Sequence, residues 1–257
     1  MPPPVLLIHG CNGSWRDWES QSGINSWVVG TPNSQINGTT PGGARWELLE
    51  ADPSAHPVRA AVFLLDYSSA LTPIDDLSHA VAAAVRETKR LASENMVVLI
   101  GHSMGGLLAR AYVQNLAGIG QYQNDVAALY TLASPNNGAR IVGFIGSLAA
   151  SLLCPQSWGL NPMSGVLNTL NQRSLPPNMH CATITGVACR SRWGGFHDGI
   201  LFADDTLLRA TPANGFVASF VDDLQHTIPG NPFCSRHPGV IPASVSPIEQ
   251  LYDSQFP

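Results

Sequence analysis

A pentapeptide between two apolar runs constrains the fold of this chain more than any other feature. Residues 95–100 form a short apolar run, Gly-His-Ser-Met-Gly follows at 101–105, and residues 106–113 have the composition of a helix. A Gly-x-Ser-x-Gly sequence between a strand and a helix forms a tight turn that lifts the serine hydroxyl above the sheet. The alternative is a purely structural Gly-Ser turn, but the strand-to-helix setting favours Ser103 as a nucleophile.

Short apolar runs recur along the chain and predict a mostly parallel sheet. They lie at 5–8, 60–65, 96–100, 127–132 and 181–185, with a weaker candidate at 215–220. Each is almost continuously hydrophobic, which is typical of strands that are buried on both faces. Apolar residues at helical spacing occupy residues 75–92, and a second helix is predicted to begin at Met104. This alternation predicts an α/β fold with about six mostly parallel strands and helices on both faces.

Two regions interrupt the alternation. Residues 11–59 form an excursion rich in Gly, Asn, Ser and Trp, and residues 136–178 form an insertion after the fourth strand. The insertion holds an apolar segment, 141–153, which is too short to span a bilayer and is either a core helix or a cap. Its predicted place above the carboxyl ends of the strands favours the cap. Since no linker-like stretch divides the 257 residues, we predict a single domain, 1–257, with a cap or lid at about 136–178.

The charge pattern excludes some classes of partner. The chain has 13 Lys and Arg against 18 Asp and Glu, a net charge of −5, and Lys89 as its only lysine. A nucleic-acid surface needs a stripe of basic residues, which is missing here. No apolar run is long enough for a transmembrane segment, so any contact with a lipid interface would be transient. The low content of charged residues is consistent with a protein that acts on apolar material and, equally well, with the composition bias of a GC-rich genome.

The five cysteines, at 11, 154, 181, 189 and 234, show no spacing typical of a zinc site. An odd number leaves at least one free thiol, and the last three cysteines are the candidates for a single disulfide. A disulfide would favour an extracellular setting. The first residues carry no signal peptide and fit a trimmed mature end.

A serine nucleophile needs a base, an acid and N–H donors for the oxyanion that its attack creates. The loop His9-Gly10-Cys11 follows the first strand and is expected to lie beside the serine turn. We therefore predict an oxyanion hole made by the backbone N–H groups of Cys11 and Met104. His9 is expected to brace this loop rather than to take part in the chemistry.

The acid and then the histidine follow such a serine in chain order. Asp198, in the loop after the fifth strand, is the preferred acid. Asp204 and Asp205 are the alternative, although this pair could equally start a helix. His226 follows the weak sixth strand and is the preferred base, whereas His237 precedes a proline and fits a surface turn better.

With these residues placed, the chain resembles the lipases and esterases of the α/β-hydrolase fold, in particular bacterial triacylglycerol-lipase-like enzymes. The matching segments lie at 5–10, 101–106, 133–138 and 167–171, together with Asp198, Gly199 and His226. The sequence Cys11-Asn12-Gly13 departs from the family pattern. Some bacterial lipases hold a structural calcium ion near the catalytic histidine, but its ligands find no match in this sequence, so no metal is predicted.

The resemblance implies hydrolysis of a small-molecule or lipid ester through an acyl-enzyme on Ser103, with Asp198 and His226 and without a cofactor. It favours a secreted bacterial enzyme over a cytoplasmic one. An acyltransferase, thioesterase, amidase or polyester hydrolase would use the same triad, because one fold hosts many reactions. A non-catalytic binding protein of the same fold is the remaining alternative. The oligomeric state is not predicted.

Overall fold

The computed structural model describes residues 2–19, 28, 30–52, 60–68, 72–116, 122–138, 165–186, 189–190, 196–197, 201, 203–208, 217–222 and 251–256. For residues 189–190, 196–197 and 217–222 it describes the backbone alone. The predictions for Asp198, His226 and His237 fall on residues outside the described part of the chain.

One mixed sheet of eight strands forms the centre of the described structure. Its strands are β1 (Val5–Ile8), β2 (Asn33–Thr39), β3 (Arg45–Glu50), β4 (Val62–Tyr67), β5 (Val97–His102), β6 (Val126–Leu132), β7 (His180–Gly186) and β10 (Val217–Asp222). Separately, β8 (Cys189–Arg190) and β9 (Phe196–His197) form a two-stranded antiparallel ribbon. The order across the large sheet is β10-β7-β6-β5-β1-β4-β3-β2, which places β5 near the middle.

The mostly parallel sheet expected from the apolar runs is confirmed. All six runs form strands, and β1, β4, β5, β6, β7 and β10 pair in parallel. The hairpin of β2 and β3 was not predicted; it adds two antiparallel strands beside β4. The residues of β2 are mostly polar and mostly exposed, because β2 is an edge strand. Such a strand contains no hydrophobic run that a sequence pattern could detect.

Helical segments cover both faces of the sheet, as predicted. The described helices are α1 (Ile74–Ala92), α2 (Met104–Val113), α3 (Gly165–Gln172) and α4 (Ala203–Thr206), with further helical residues at 251–255. The buried side chains of α1 and α2 form one apolar cluster with one face of the central strands. On the opposite face Trp18, Leu251 and Tyr252 belong to a second cluster. Among these described helices, none combines the length and the apolar character needed to cross a membrane.

The described end of the predicted insertion is α3, which packs beside α2. Leu167 and Leu170 of α3 are buried in the α1–α2 cluster. Just after α2, the Gln114 amide donates hydrogen bonds to the Leu170 carbonyl at 2.8 Å and to the Arg173 carbonyl at 2.7 Å. Residues 139–164, which include the apolar segment, lie outside the described part, so the cap stays a prediction.

Candidate active site

Ser103 forms the turn between β5 and α2. β5 ends at His102 and α2 begins at Met104, and Ser103 between them adopts φ 52° and ψ −122°. A positive φ is uncommon for a residue with a side chain and persists only where the surroundings impose it. A strained serine between a strand and a helix is the geometry that exposes the hydroxyl at the edge of the sheet. The predicted tight turn is therefore confirmed.

The glycines around this turn are needed for a close approach of three backbones. A Cβ added at Gly105 would run into the carbonyl oxygens of Ile8 and His9 at the end of β1. A Cβ added at Gly101 would meet the backbone at the start of α2. Any side chain at these two positions would push the strand, the helix and the loop after β1 apart.

The loop after β1 lies against Ser103. A Cβ built at Gly10 would be 3.0 Å from the Ser103 Cβ, so the loop that carries Cys11 passes directly beside the serine. Met104 is the first residue of α2, and the first N–H groups of a helix have no partner within the helix. The structure thus brings the Cys11 loop, Ser103 and the start of α2 together at the edge of the sheet.

Cys11 is disulfide-bonded, which the sequence analysis did not anticipate. Cys181, a candidate for the predicted disulfide, is instead a buried free thiol. Its position explains the difference: it is the second residue of β7 and packs in the core, away from the loops that follow the strands. Burial raises the pKa of Cys181 to about 12, which keeps it a thiol. The partner of Cys11 is therefore one of the other three cysteines, whose side chains lie outside the described residues.

His9 is buried and makes contacts with both ring nitrogens. Nδ1 lies 2.7 Å from the Gly10 carbonyl oxygen, and Nε2 accepts a hydrogen bond from the Tyr67 N–H at 3.2 Å. Asp66 Oδ1 is 3.3 Å from the same Nε2. The ring also stacks on Tyr67, with centroids 4.0 Å apart and planes 8° from parallel. These contacts confirm that His9 braces the loop, and they identify Tyr67, which sequence reasoning missed, as its main support.

Asp17 adds a second acidic group beside His9. Ser14 caps the single 3-10 turn Trp15–Trp18, and its N–H bonds to the Asp17 carboxylate, an arrangement like a capping box. Burial raises the pKa of Asp17 above its ordinary value of 3.8, and the Asp66 carboxylate adds to the increase, whereas His9 and the Ser14 N–H oppose it. The loop next to Ser103 therefore rests on a partly buried group of ionisable side chains.

We expect the Asp17→Asn variant to lose less stability than the wild type as the pH rises above 3.8. A raised pKa in the folded state means that folding binds a proton in the window just above the unfolded pKa, so stability falls through that window as pH increases. Thermal unfolding midpoints measured across the acid range would show a difference that grows with pH in favour of the variant. Asp253→Asn, which removes a carboxylate at an exposed position, is the matched control, and an equal trend in both variants would contradict the prediction.

A groove of about 570 Å³ lies where β4 ends against the β2–β3 hairpin. It is lined by Asn37, Gly38, Thr39, Arg45, Trp46, Glu47, Asp66, Tyr67 and Ser68. Two of these residues, Asp66 and Tyr67, also contact His9, so the groove adjoins the loop that carries Cys11. Part of the excursion at 11–59 therefore lines a cavity next to the candidate site.

The family of the chain follows from its sequence. Residues 3–217 match the family model of the PGAP1-like alpha/beta domain, which is most of the chain. The chain belongs to the PGAP1-like alpha/beta domain family. The match includes Ser103 and Asp198 and ends before His226. No protein of curated function matches the sequence.

Solved structures similar to this PGAP1-like domain have the α/β-hydrolase fold. A lipase from Bacillus licheniformis in its mature form has a TM-score of 0.56 at 16% identity, with 86% of this chain and 85% of that chain covered. A protein from Listeria innocua has a TM-score of 0.51 at 17% identity, covering 86% and 84%. A phospholipase from Legionella pneumophila has a TM-score of 0.52 at 17% identity, and the match covers 79% of this chain and 44% of the phospholipase chain. The predicted fold class is confirmed.

Three of the described histidines of the PGAP1-like domain, at positions 9, 79 and 180, do not provide a base for Ser103. His180 begins β7, at the edge of the sheet opposite to the serine, and His79 lies on α1. His9 is engaged through both ring nitrogens. Asp204 and Asp205 lie in the first turn of α4, so the alternative that this pair starts a helix is confirmed. The preferred acid and base, Asp198 and His226, stay predictions.

A buried arginine on α2, the helix that begins directly after Ser103, connects several elements of the PGAP1-like domain. Arg110 of α2 is 0% exposed, and burial lowers its pKa to about 10. Its guanidinium donates to Gln114 Oε1 at 3.2 Å, to the carbonyl and side-chain oxygens of Asn136 at 3.1 and 3.2 Å, and to Asn171 Oδ1 at 2.9 Å. It therefore links α2, the loop after β6 and α3 through neutral amides.

The segment at 133–138, which carries part of the family resemblance, continues this network. The Asn136 amide donates to the Thr206 carbonyl at 2.7 Å, and Asn137 donates to the carbonyls of Asp204 at 3.0 Å and Leu207 at 2.7 Å. These bonds attach the loop after β6 to α4. The preferred acid, Asp198, precedes the start of α4 by five residues in the sequence.

Replacing Arg110 by methionine is expected to lower the free energy of unfolding by about 3 kcal/mol or more. Methionine keeps the apolar stem but leaves three buried oxygens, one on Gln114 and two on Asn136, without their donor, at about 1–3 kcal/mol for each unsatisfied group. Urea unfolding would measure the change. Arg90→Met is the control, because Arg90 is 64% exposed and its pairing with Glu87 is worth about 0.5 kcal/mol at most. Equal stability of the two variants would contradict the prediction.

Proposed function

We propose that this PGAP1-like protein is a serine hydrolase of carboxylic esters that acts through an acyl-enzyme on Ser103. The observation that carries the proposal is the backbone of Ser103, which is held at φ 52° between β5 and α2 with the Cys11 loop beside it. Maintaining a strained backbone reduces stability, and such strain is common where a reactive group must be aimed at a substrate. A purely structural Gly-Ser turn would not need it.

The proposed reaction has two halves. His226, oriented by Asp198, takes the proton from Ser103 Oγ as that oxygen attacks the ester carbonyl carbon. The N–H groups of Cys11 and Met104 donate to the oxyanion of the tetrahedral intermediate. His226 then gives the proton to the departing alcohol oxygen, which leaves the acyl group on Ser103. Water attacks the acyl-enzyme by the same steps and releases the carboxylic acid.

The topology of the sheet supports His226 as the base. β10 runs parallel to β7 and ends at Asp222, at the same edge of the sheet as Ser103. β10 and β5 are separated by three strand spacings, or about 14 Å. His226 follows Asp222 by four residues, and four extended residues span about 13–14 Å. A chain that turns toward the middle of the sheet after β10 can therefore place His226 above Ser103.

We also propose that the insertion at about 136–178 covers the acyl chain of a small-molecule or lipid ester, and that the protein works in an oxidising, extracellular compartment. The disulfide at Cys11 supports the second point, because disulfides persist in such compartments and are rare in the cytosol. The apolar residues at 141–153 support the proposal that the insertion covers the acyl chain.

Labelling with a fluorophosphonate tests the proposed function directly. This reagent forms a covalent bond with an activated serine, and we expect one equivalent to attach to Ser103 of the folded protein and none to the Ser103→Ala variant. Ser254→Ala, at an exposed position near the end of the chain, is the matched control and should label like the wild type. If peptide mapping after labelling shows an unmodified Ser103, the proposed function is wrong.

A panel of p-nitrophenyl esters of increasing acyl length would define the substrate class. A preference for long chains and activation at an oil–water interface would identify a lipase, whereas a preference for acetate or butyrate would identify an esterase. Parallel assays with a thioester, an amide and a polyester film would distinguish the other reactions that the same triad supports.

A further inference from the structure

The peptide unit between Gly10 and Cys11 is held by two hydrogen bonds to its carbonyl oxygen. His9 Nδ1 lies 2.7 Å from that oxygen, and the Gly13 N–H donates to it at 3.2 Å. The peptide bonds of the described residues are trans, so the carbonyl and the N–H of one unit point in opposite directions. Because the Gly10 carbonyl is held pointing toward His9, the Cys11 N–H points in the opposite direction within the plane of the peptide.

The donor at the Gly10 carbonyl does not depend on the charge of His9. Because the Tyr67 N–H donates to Nε2, a neutral ring carries its proton on Nδ1 and donates from there to Gly10. A protonated ring would lose the bond from the Tyr67 N–H, because Nε2 would then be a donor facing Asp66 Oδ1, 3.3 Å away, but it would still donate from Nδ1. Asp17 is the other charged group that faces the ring. The bond from His9 to Gly10 is thus kept in both states.

Tyr67 holds the His9 ring and its backbone together. Its ring stacks on the imidazole, its N–H binds Nε2, and its hydroxyl donates to the His9 carbonyl at 2.6 Å. Burial raises the pKa of Tyr67 well above its ordinary value, so the hydroxyl stays a donor. Tyr67 is the last residue of β4, which pairs with β1, so this support comes from the rigid centre of the sheet.

We propose that His9 and Tyr67 are positioning residues for the oxyanion hole: together they set the plane of the Gly10–Cys11 peptide and so aim the Cys11 N–H at the substrate oxygen. The proposal rests on the proposed function, and neither side chain is assigned a role in proton transfer. Two donors on one carbonyl also polarise the peptide, which strengthens its N–H as a donor. Loss of this alignment should reduce transition-state stabilisation and leave ground-state binding unchanged.

Two amide substitutions of His9 separate positioning from mere packing. In His9→Asn the side-chain amide can take the place of Nδ1 and donate to the Gly10 carbonyl, whereas in His9→Gln the amide reaches the place of Nε2 and the Nδ1 donor is lost. Removing a whole oxyanion donor lowers kcat by about 10²–10³-fold, so misaligning one should lower it by about 10–100-fold. We expect this loss in His9→Gln, with KM unchanged, and a kcat near that of the wild type in His9→Asn.

Tyr67→Phe keeps the stacked ring and removes only the hydroxyl, so it decides the question if His9→Gln does not fold. We expect its kcat and its rate of fluorophosphonate labelling at Ser103 to fall by a common factor of about ten, with KM unchanged. Unchanged kcat in both variants would overturn the proposal, as would a rise in KM alone, which would indicate a binding role in the groove. Equal loss in His9→Asn and His9→Gln would also overturn it. Failure of the wild type to be labelled at Ser103 would instead refute the proposed function.

Discussion

Replacing Ser103 by alanine is expected to lower kcat for ester hydrolysis by about 10⁶-fold, because the hydroxyl oxygen of the proposed nucleophile is removed. The fold should survive. Alanine can occupy the same strained backbone as serine, and the Ser103 hydroxyl makes no hydrogen bond to a described residue. The unfolding free energy should therefore stay within about 1 kcal/mol of the wild-type value. Steady-state kinetics with a p-nitrophenyl ester and urea unfolding would measure both quantities.

Two features of this experiment make it decisive. Ser254→Ala controls for the loss of a serine hydroxyl elsewhere and should keep full activity. A Ser103→Ala variant that is folded and still turns over substrate at more than about a hundredth of the wild-type rate would show that the nucleophile lies elsewhere.

Replacing His226 by alanine is expected to lower kcat by about 10⁴–10⁶-fold, since the serine then lacks its proposed base. The same substitution at His237 should leave kcat unchanged. His237 follows β10 by fifteen residues, so its place relative to Ser103 is not set by the strand, whereas His226 is within reach of the serine from the end of β10. Kinetics with the same ester would compare the two variants.

The His226 and His237 variants control for each other, because both remove an imidazole from the same part of the chain. A large loss in His237→Ala with normal activity in His226→Ala would show that the base has been assigned to the wrong histidine. Thermal unfolding of both proteins should give similar midpoints, which would separate loss of the base from loss of the fold.

The central sheet and the position of the serine were predictable from the sequence. Six strands were found because each is a near-continuous apolar run, which burial on both faces of a parallel sheet requires. The β2–β3 hairpin was missed because β2 is polar and exposed at the edge. Ser103 was found because a turn this tight requires glycine two positions before and two positions after the serine, so its geometry is visible as a local pattern.

Residues that act across long sequence distances were not predictable. Arg110 lies in an apolar helix, and only the packed structure shows that its guanidinium is buried among amides from the loop after β6 and from α3. The sequence feature that could have indicated its role is that Arg110 is the one charged residue in the otherwise apolar run at 106–113. Tyr67 had no signal at all, because a tyrosine at the end of a strand fits ordinary core packing.

The sequence by itself determined six of the eight strands of the large sheet, the turn at Ser103 and the loop expected beside it, because these are local patterns of apolar residues and glycines. Only the tertiary structure decided which side chains support that loop. His9 and Tyr67 are separated by more than fifty residues, and they meet because β1 and β4 are neighbours in the sheet. The free thiol of Cys181 and the disulfide of Cys11 were decided in the same way, since burial and chain path, rather than spacing, determine which thiols meet.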